Sequence, residues 1–210
     1  MGQHGRMTAR RLVVVTAGVA EPSSSRRLAD RLAAAAVTAL AARGVDAAVR
    51  TIEVRDVAAD VVRATLEGVR TESLEDVLAA VTDADAIVAV SPVFNGSYSG
   101  LFKSLFDLLR PGDLEGRPVL AAATGGSERH ALVVDHALRP LLTTLHGVVL
   151  PTGVFAASGD RDADALDARI LRAAEELATA VVALPARTRA DRLDDVFTDT
   201  DFEDLLRALD

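Results

Sequence analysis

The chain has 210 residues, half of them apolar but only 3% aromatic, so one domain with a core of Ala, Val and Leu is expected. Its net charge of -8 argues against a broad nucleic-acid or anionic-membrane surface, because both require a basic face. The absence of cysteine excludes disulfides, thiolate metal sites and cysteine nucleophiles. With no apolar run of membrane-spanning length and no signal-peptide segment, we expect a soluble cytoplasmic protein.

In chain order, a flexible leader at residues 1–11 precedes short apolar strands that alternate with helix-length segments. The strands are predicted at residues 12–16, 47–54, 86–90, 119–123 and 148–150, the last with a possible continuation to 157. Between them, apolar residues at helical spacing predict helices near residues 23–43, 55–70, 71–81, 100–109, 130–145 and 162–184, of which the segment 55–70 is less regular and is expected to form a short helix with loops. We expect Pro140 to kink the fifth of these helices.

This alternation predicts an α/β fold with a doubly wound parallel sheet of five strands and right-handed crossovers. We expect the strand order 2-1-3-4-5 with helices on both faces, in which the first, third and fourth strands end at one switch point. Residues 12–185 form the predicted domain. Residues 186–210 form a charged C-terminal tail with a short amphipathic helix, whose apolar patch comprises Phe202, Leu205, Leu206 and Leu209.

The stretch around which the chain is organised is residues 87–109, a buried strand that opens through a polar loop into a helix. The helix has one buried stripe, formed by Phe102, Leu105, Phe106 and Leu109. Open α/β sheets bind ligands at the carboxyl ends of their strands. Within the loop, Asn95 and Gly96 tolerate unusual backbone angles. For Tyr98 we favour packing on the neighbouring helix over stacking on a ligand.

Two further loops can reach the same edge of the sheet. Residues 16–25 carry Ser23, Ser24 and Ser25 ahead of a helix, where free N–H groups and hydroxyls can bind phosphate. The alternative is that one serine caps the helix and the others are only polar. Residues 124–127 include Gly125 and Gly126, which can let a flat ligand approach main-chain N–H groups. The alternative is that a strand-to-helix turn requires glycine there. The serine loop matches neither a Walker loop nor a G-x-G-x-x-G turn.

Taken together, SPVFNGSYSGLFKSLFDLL, AGVAEPSSSRRLAD and ATGGSERHALVVDHALRPLL resemble NAD(P)H-dependent FMN reductases of flavodoxin-like fold, especially those that supply reduced flavin to two-component monooxygenases. The resemblance covers residues 12–184. It implies that Ser23, Ser24 and Ser25 hold the FMN phosphate. It further implies that the ribityl chain and the ring are contacted by Pro92, Val93, Phe94, Asn95, Thr124, Gly125, Gly126 and Ser127.

Such an enzyme transfers a hydride from NAD(P)H to FMN, and the cofactor rather than a catalytic side chain performs that chemistry. The resemblance also implies a homodimer or homotetramer and a flavin-dependent monooxygenase as partner. The alternatives are a quinone, azo or chromate reductase with bound FMN, and a flavodoxin-type electron carrier without enzymatic activity. His130 could touch the site, His136 is expected at the surface or an interface, and no metal site is predicted.

Overall fold

The computed structural model describes residues 9–157 and 163–185. Its strands are β1 Arg10–Thr16, β2 Ala47–Glu53, β3 Ala86–Phe94, β4 Ser97–Tyr98, β5 Pro118–Gly125, β6 Val148–Val149 and β7 Val154–Ala157. Its α-helices are α1 Ser24–Ala41, α2 Ala58–Glu67, α3 Glu72–Thr82, α4 Gly100–Phe106, α5 Arg139–Thr144 and α6 Ala163–Ala183. Short 3₁₀ helices at Val54–Val57 and Glu128–His130 and a π-helix at Val134–Leu138 complete these elements.

The five parallel positions of the sheet follow the order β2-β1-β3-β5-β6, which confirms the predicted 2-1-3-4-5 arrangement. The predicted number of five strands is corrected to seven. One addition is β4, which pairs with β3 in an antiparallel hairpin. The other is β7, because the fifth predicted strand is split into two pieces that both pair with β5.

The split has a simple cause in the register of the edge strand. Pro118 pairs with Val148 and Ala122 with Val154, so the edge strand has two more residues than β5 between these pairs. The extra residues surround Pro151, which lacks the N–H that a continuous strand would need. The guanidinium of Arg139 donates to the carbonyl oxygens of residues 149, 150 and 151 at 3.2, 2.9 and 3.1 Å.

The helices cover the sheet on both faces. Helices α1 and α6 share one apolar cluster with β1, β3 and β5, whereas α2, α3, α4 and α5 share a second cluster on the opposite face. The crossover from β1 to β2 therefore runs over one face and the crossover from β2 to β3 over the other. This reversal places the topological switch point at the carboxyl ends of β1 and β3.

Local boundaries depart from the predictions by a few residues. Strand β1 begins at Arg10, two residues earlier than predicted. Helix α4 ends at Phe106, but all four residues of its predicted stripe are buried, including Leu109 in the following turn. The kink expected at Pro140 is a π-helix just before it, in which the Arg139 N–H donates to Val134 O, five residues back.

Within the described residues, no helix is long and apolar enough to cross a membrane. The leader as far as residue 8 and the C-terminal tail with its Phe202 patch lie outside the described residues. The predicted limits of the domain stay a prediction.

The aromatic side chains of α4 anchor the loop that precedes it. The Phe102 ring is fully buried, with its centroid 4.5 Å from that of Phe106 and 6.1 Å from that of Tyr98. We predict that Phe102→Ala lowers the free energy of unfolding by about 3–5 kcal/mol through the cavity it leaves. Urea denaturation measures this. The control Leu171→Ala, at a side chain 61% exposed on α6, should change it by less than about 0.5 kcal/mol, and equal losses would contradict the assignment.

Candidate functional site

A buried hydrogen bond joins the first loop to the third. Ser25 Oγ lies 2.7 Å from Thr124 Oγ1, and either hydroxyl can be the donor. Ser25 belongs to the first turn of α1 and Thr124 to the end of β5, and both side chains are almost completely buried. The serine cluster and the double-glycine turn therefore meet, as the sequence predicted.

The second loop lies next to the other two. Pro92, near the end of β3, is the parallel register partner of Thr124 on β5. On the other side of β3, the Ala17 N–H donates to Val90 O at 3.2 Å. The carboxyl ends of β1, β3 and β5 thus present all three loops at one edge of the sheet, at the topological switch point.

The start of α1 is suited to an anion. Ser23 is the N-cap, and its hydroxyl accepts from the Arg26 N–H at 3.1 Å, while Ser24 is exposed at the first helical position. The first turn contains no acidic residue, so its free N–H groups and the positive end of the helix dipole are not neutralised there. A Cβ added at Gly18 would lie 2.0 Å from Ser23 Oγ, so glycine is needed to fold the loop against the helix.

Hydroxyl groups beneath this turn retain hydrogen-bonding capacity. In the bond between Ser25 and Thr124 only one of the two O–H groups donates, which leaves the other for a ligand. Thr16 Oγ1, at the end of β1, is buried and has no partner among the described residues. A buried hydroxyl without a partner costs stability unless a water or ligand satisfies it. These donors are suited to a phosphate group.

The second loop is a tight β-hairpin. Val93 pairs with Tyr98 and Phe94 with Ser97, across a turn in which Asn95 has φ 50° and Gly96 φ 83°. Positive φ at both central residues is typical of a type I′ turn, for which Asn-Gly is the preferred sequence. Tyr98 packs on the core of α4, as favoured above, while Phe94 stays 49% exposed.

Buried Ser91 connects this hairpin to the helix behind it. Its hydroxyl accepts from the Ser99 N–H at 2.9 Å and donates to Pro92 O at 2.9 Å. Ser99 in turn caps α4 by accepting from the Phe102 N–H at 3.1 Å. The hairpin is therefore fixed to a rigid element, which is what a binding loop needs.

The two glycines of the third loop have different roles. A Cβ on Gly125 would lie 2.9 Å from Phe155 Cζ on β7, so a side chain there would displace a core aromatic ring. A Cβ on Gly126 would have no atom within 4 Å and would project into open space. Ser127 caps the following 3₁₀ helix by accepting from the Arg129 N–H at 3.3 Å. Gly126 thus leaves room for a flat ligand.

A chain of ion pairs borders the first loop. Arg26 Nε donates to Asp30 Oδ1 at 2.8 Å, and its Nη1 donates to Glu53 Oε1. The other Glu53 oxygen lies 3.1 Å from Arg55 Nε, and Arg55 Nη2 lies 2.7 Å from Glu21 Oε1 in the loop itself. The hydrogen bond to Asp30 raises the pKa of Arg26 above its ordinary value; burial opposes the rise, and the Glu53 carboxylate adds to it.

Both candidate histidines are exposed. His130 is exposed at the end of the 3₁₀ helix after the third loop, and a Cβ on Gly125 would lie 3.7 Å from its Cβ. His136, exposed on the π-helix, lines a groove of about 540 Å³ between α4 and α5. Among the described residues, no cluster of His, Asp and Glu could hold a metal ion.

Sequence analysis missed three features of the site: Thr16, Phe155 and the Glu53 ion pairs. Thr16 could have been noticed, because it is the one polar residue of the predicted strand 12–16 and stands at the end of it. Phe155 and the pair of Glu53 with Arg26 left no local signal, because the residues they contact lie far away in the chain.

Comparison with known proteins identifies the family. The family model for NADPH-dependent FMN reductases matches residues 10–162. The chain belongs to this family. It is 40% identical over 173 residues to an FMN reductase (NADPH) of Pseudomonas aeruginosa, covering 80% of this chain and 90% of that one. It is also 40% identical over 169 residues to the NADH-dependent FMN reductase SfnE of Pseudomonas putida, covering 78% and 88%.

A solved structure supports the fold of this FMN reductase family member. An oxidoreductase from Corynebacterium diphtheriae superposes with a TM-score of 0.82 at 44% identity, covering 84% of this chain and 99% of that one. The flavodoxin-like fold and the membership of the reductase family therefore rest on independent comparisons.

The open space at Gly126 gives a sharp test of the site. We predict that Gly126→Ala leaves thermal stability unchanged but weakens FMN binding about tenfold or more, because overpacking a contact surface costs about 1–3 kcal/mol. Flavin fluorescence titration measures the affinity. Gly100→Ala is the matched control, since its Cβ also meets no atom within 4 Å, but at the start of α4. Equal affinities for the two variants would remove Gly126 from the site.

Proposed function

We propose that this protein catalyses hydride transfer from NAD(P)H to FMN at the edge formed by the three loops. The observation that carries the proposal is the buried bond between Ser25 and Thr124, which holds the anion-binding start of α1 against the double-glycine turn. A phosphorylated chain and a flat ring can then be bound at once. The family to which the chain belongs supports the same activity.

The phosphate of FMN lies at the start of α1 in this proposal. The main-chain N–H groups of Ser24 and Ser25 point out of the first turn, where a dianion gains from several converging donors and from the helix dipole. Ser23 positions the turn by capping it, and the hydroxyl pair of Ser25 and Thr124 supplies one more donor. The buried, unpartnered hydroxyl of Thr16 would add a further donor.

Residues of the second and third loops would hold the ring and the ribityl chain. Pro92 and Val93 form the strand end beside Thr124, and Phe94 and Asn95 form the exposed edge of the hairpin. Main-chain N–H groups at Gly125, Gly126 and Ser127 can approach the polar edge of a flat ring, because Gly126 presents no side chain. Such donors stabilise negative charge that develops on a bound group.

When bound, FMN accepts the hydride of NAD(P)H, and no acid–base dyad of the protein is required. The residues of the chain bind the ring, orient it and limit the access of water to it. One relative at 40% identity is named for NADPH and the other for NADH, so the preferred nucleotide is left to measurement.

The reaction is tested by following NAD(P)H oxidation by the purified protein with FMN, FAD, riboflavin or a quinone in excess. We expect turnover with FMN, and faster turnover with FMN than with the quinone. Oxidation of one equivalent of nucleotide without further turnover would indicate an electron carrier instead. Preference for the quinone would indicate a quinone reductase on the same fold.

We predict that Ser25→Ala weakens FMN binding about ten- to a hundredfold, because a hydrogen bond to a charged group contributes about 1.5–3 kcal/mol. Flavin fluorescence titration is the measurement. Ser104→Ala is the control, since that hydroxyl donates to Gly100 O on α4 and lies outside the three loops. An unchanged affinity for FMN in the Ser25 variant would remove this hydroxyl from the phosphate site.

We further propose that the enzyme acts in the cytoplasm as a homodimer or homotetramer and supplies reduced FMN to a flavin-dependent monooxygenase. The resemblance of the three loops to flavin reductases of two-component systems supports this role, and the lack of cysteine is compatible with a reducing compartment. Light scattering gives the oligomeric state. Coupled turnover with a purified monooxygenase tests the transfer of flavin.

A further inference from the structure

The ion-pair chain beside the first loop has an unusual charge balance for a phosphate site. Its basic members, Arg26 and Arg55, are both bonded to carboxylates. Its acidic members are Asp30, Glu53, Glu21 and Asp56, whose Oδ1 lies 3.8 Å from Arg55 Nε, so the chain carries two more negative than positive charges. A site built to retain a dianion would be expected to aim free guanidinium groups at it.

Glu53 is the central member, and it lies close to the proposed phosphate site. It is the register partner of Thr16 in the parallel pair of β2 and β1, and neighbouring strands are about 4.8 Å apart. Register partners in parallel strands project to the same face, which here is the face covered by α1. The Glu53 carboxylate is only 14% exposed, so its charge is screened less than that of a surface acid.

Glu53 also pairs with both arginines, each of which has other carboxylate partners. Arg26 follows Ser25 directly in α1, and its N–H bonds the N-cap serine, yet its guanidinium is held by Glu53 and Asp30. Arg55 is held between Glu53 and Glu21 of the first loop. One carboxylate thus adds a negative charge near the phosphate site and keeps two positive groups occupied.

We propose that Glu53 lowers the affinity of the first loop for the phosphate of FMN, so that the protein releases flavin instead of retaining it. This inference rests on the proposed function. The ion-pair chain stabilises the conformation of the loop. Its net negative charge weakens binding of the phosphate dianion, so reduced flavin can exchange with solution. Glu53 is therefore a residue that sets specificity for the phosphate, acting through charge and through Arg26 and Arg55.

The test compares FMN with riboflavin, which has the same ring but no phosphate. Glu53→Gln should tighten FMN binding roughly tenfold at low salt while leaving riboflavin binding unchanged, since one charge near a dianion contributes on the order of 1–2 kcal/mol. The gain should shrink as salt is added. A purely structural role of Glu53 would move both flavins together, so the ratio of the two dissociation constants is the deciding readout.

Two further variants complete the design. Glu21→Gln, at a side chain 77% exposed in the loop, should give a smaller gain in the same direction and does not depend on a buried substitution. Asp76 lies on α3, away from the loops, and pairs with Arg50 on β2. Asp76→Asn removes the same charge there and should leave the ratio of the FMN and riboflavin dissociation constants unchanged.

The outcomes separate the two proposals. If the unaltered protein binds FMN and oxidises NAD(P)H with it, but the ratio is the same in all variants, the role of Glu53 is overturned and the function stands. If the unaltered protein neither binds FMN nor turns over with it, both are overturned. The inference is supported if FMN binds more tightly to the Glu53 and Glu21 variants but not to the Asp76 variant.

Discussion

The whole site depends on one buried hydrogen bond between two small side chains that lie far apart in the chain. Ser25 and Thr124 bring the start of α1 against the end of β5, across the carboxyl end of β3. A neutral hydrogen bond contributes only about 1 kcal/mol net, but a buried hydroxyl left alone costs about 1–3 kcal/mol. Separating the loops is therefore unfavourable, so the cradle for a ligand is formed before the ligand arrives.

That bond is possible because the crossovers reverse direction between β1 and β3. With α1 on one face of the sheet and α2 and α3 on the other, neither the β1 loop nor the β3 loop is covered by its neighbour's helix. The loops then meet in an open crevice. Tyr98 and Phe102 show how this crevice is supported, since the rings of Tyr98, Phe102 and Phe106 form one stack behind the hairpin.

The sequence predicted the strand order, the helix faces and the three loops, because apolar periodicity and glycine placement are local signals. The turn at Asn95 and Gly96 was predictable for the same reason, since only a few residue types tolerate positive φ. The split of the edge strand was harder, because it depends on Arg139 reaching carbonyl oxygens ten to twelve residues away. The pair of Glu53 with Arg26 joins residues 27 positions apart, a tertiary contact that a short window of sequence does not contain.

The same distinction bears on how the protein treats its flavin. Hydroxyls and main-chain donors at a helix start recognise phosphate, and a sequence can display them. Whether the bound molecule stays or leaves depends on the net field at that point, to which every nearby charge contributes. Here Arg26 is bonded to Asp30 and Glu53 instead of being left free. An enzyme that releases its flavin must recognise it without holding it tightly, and the role proposed for Glu53 would provide both.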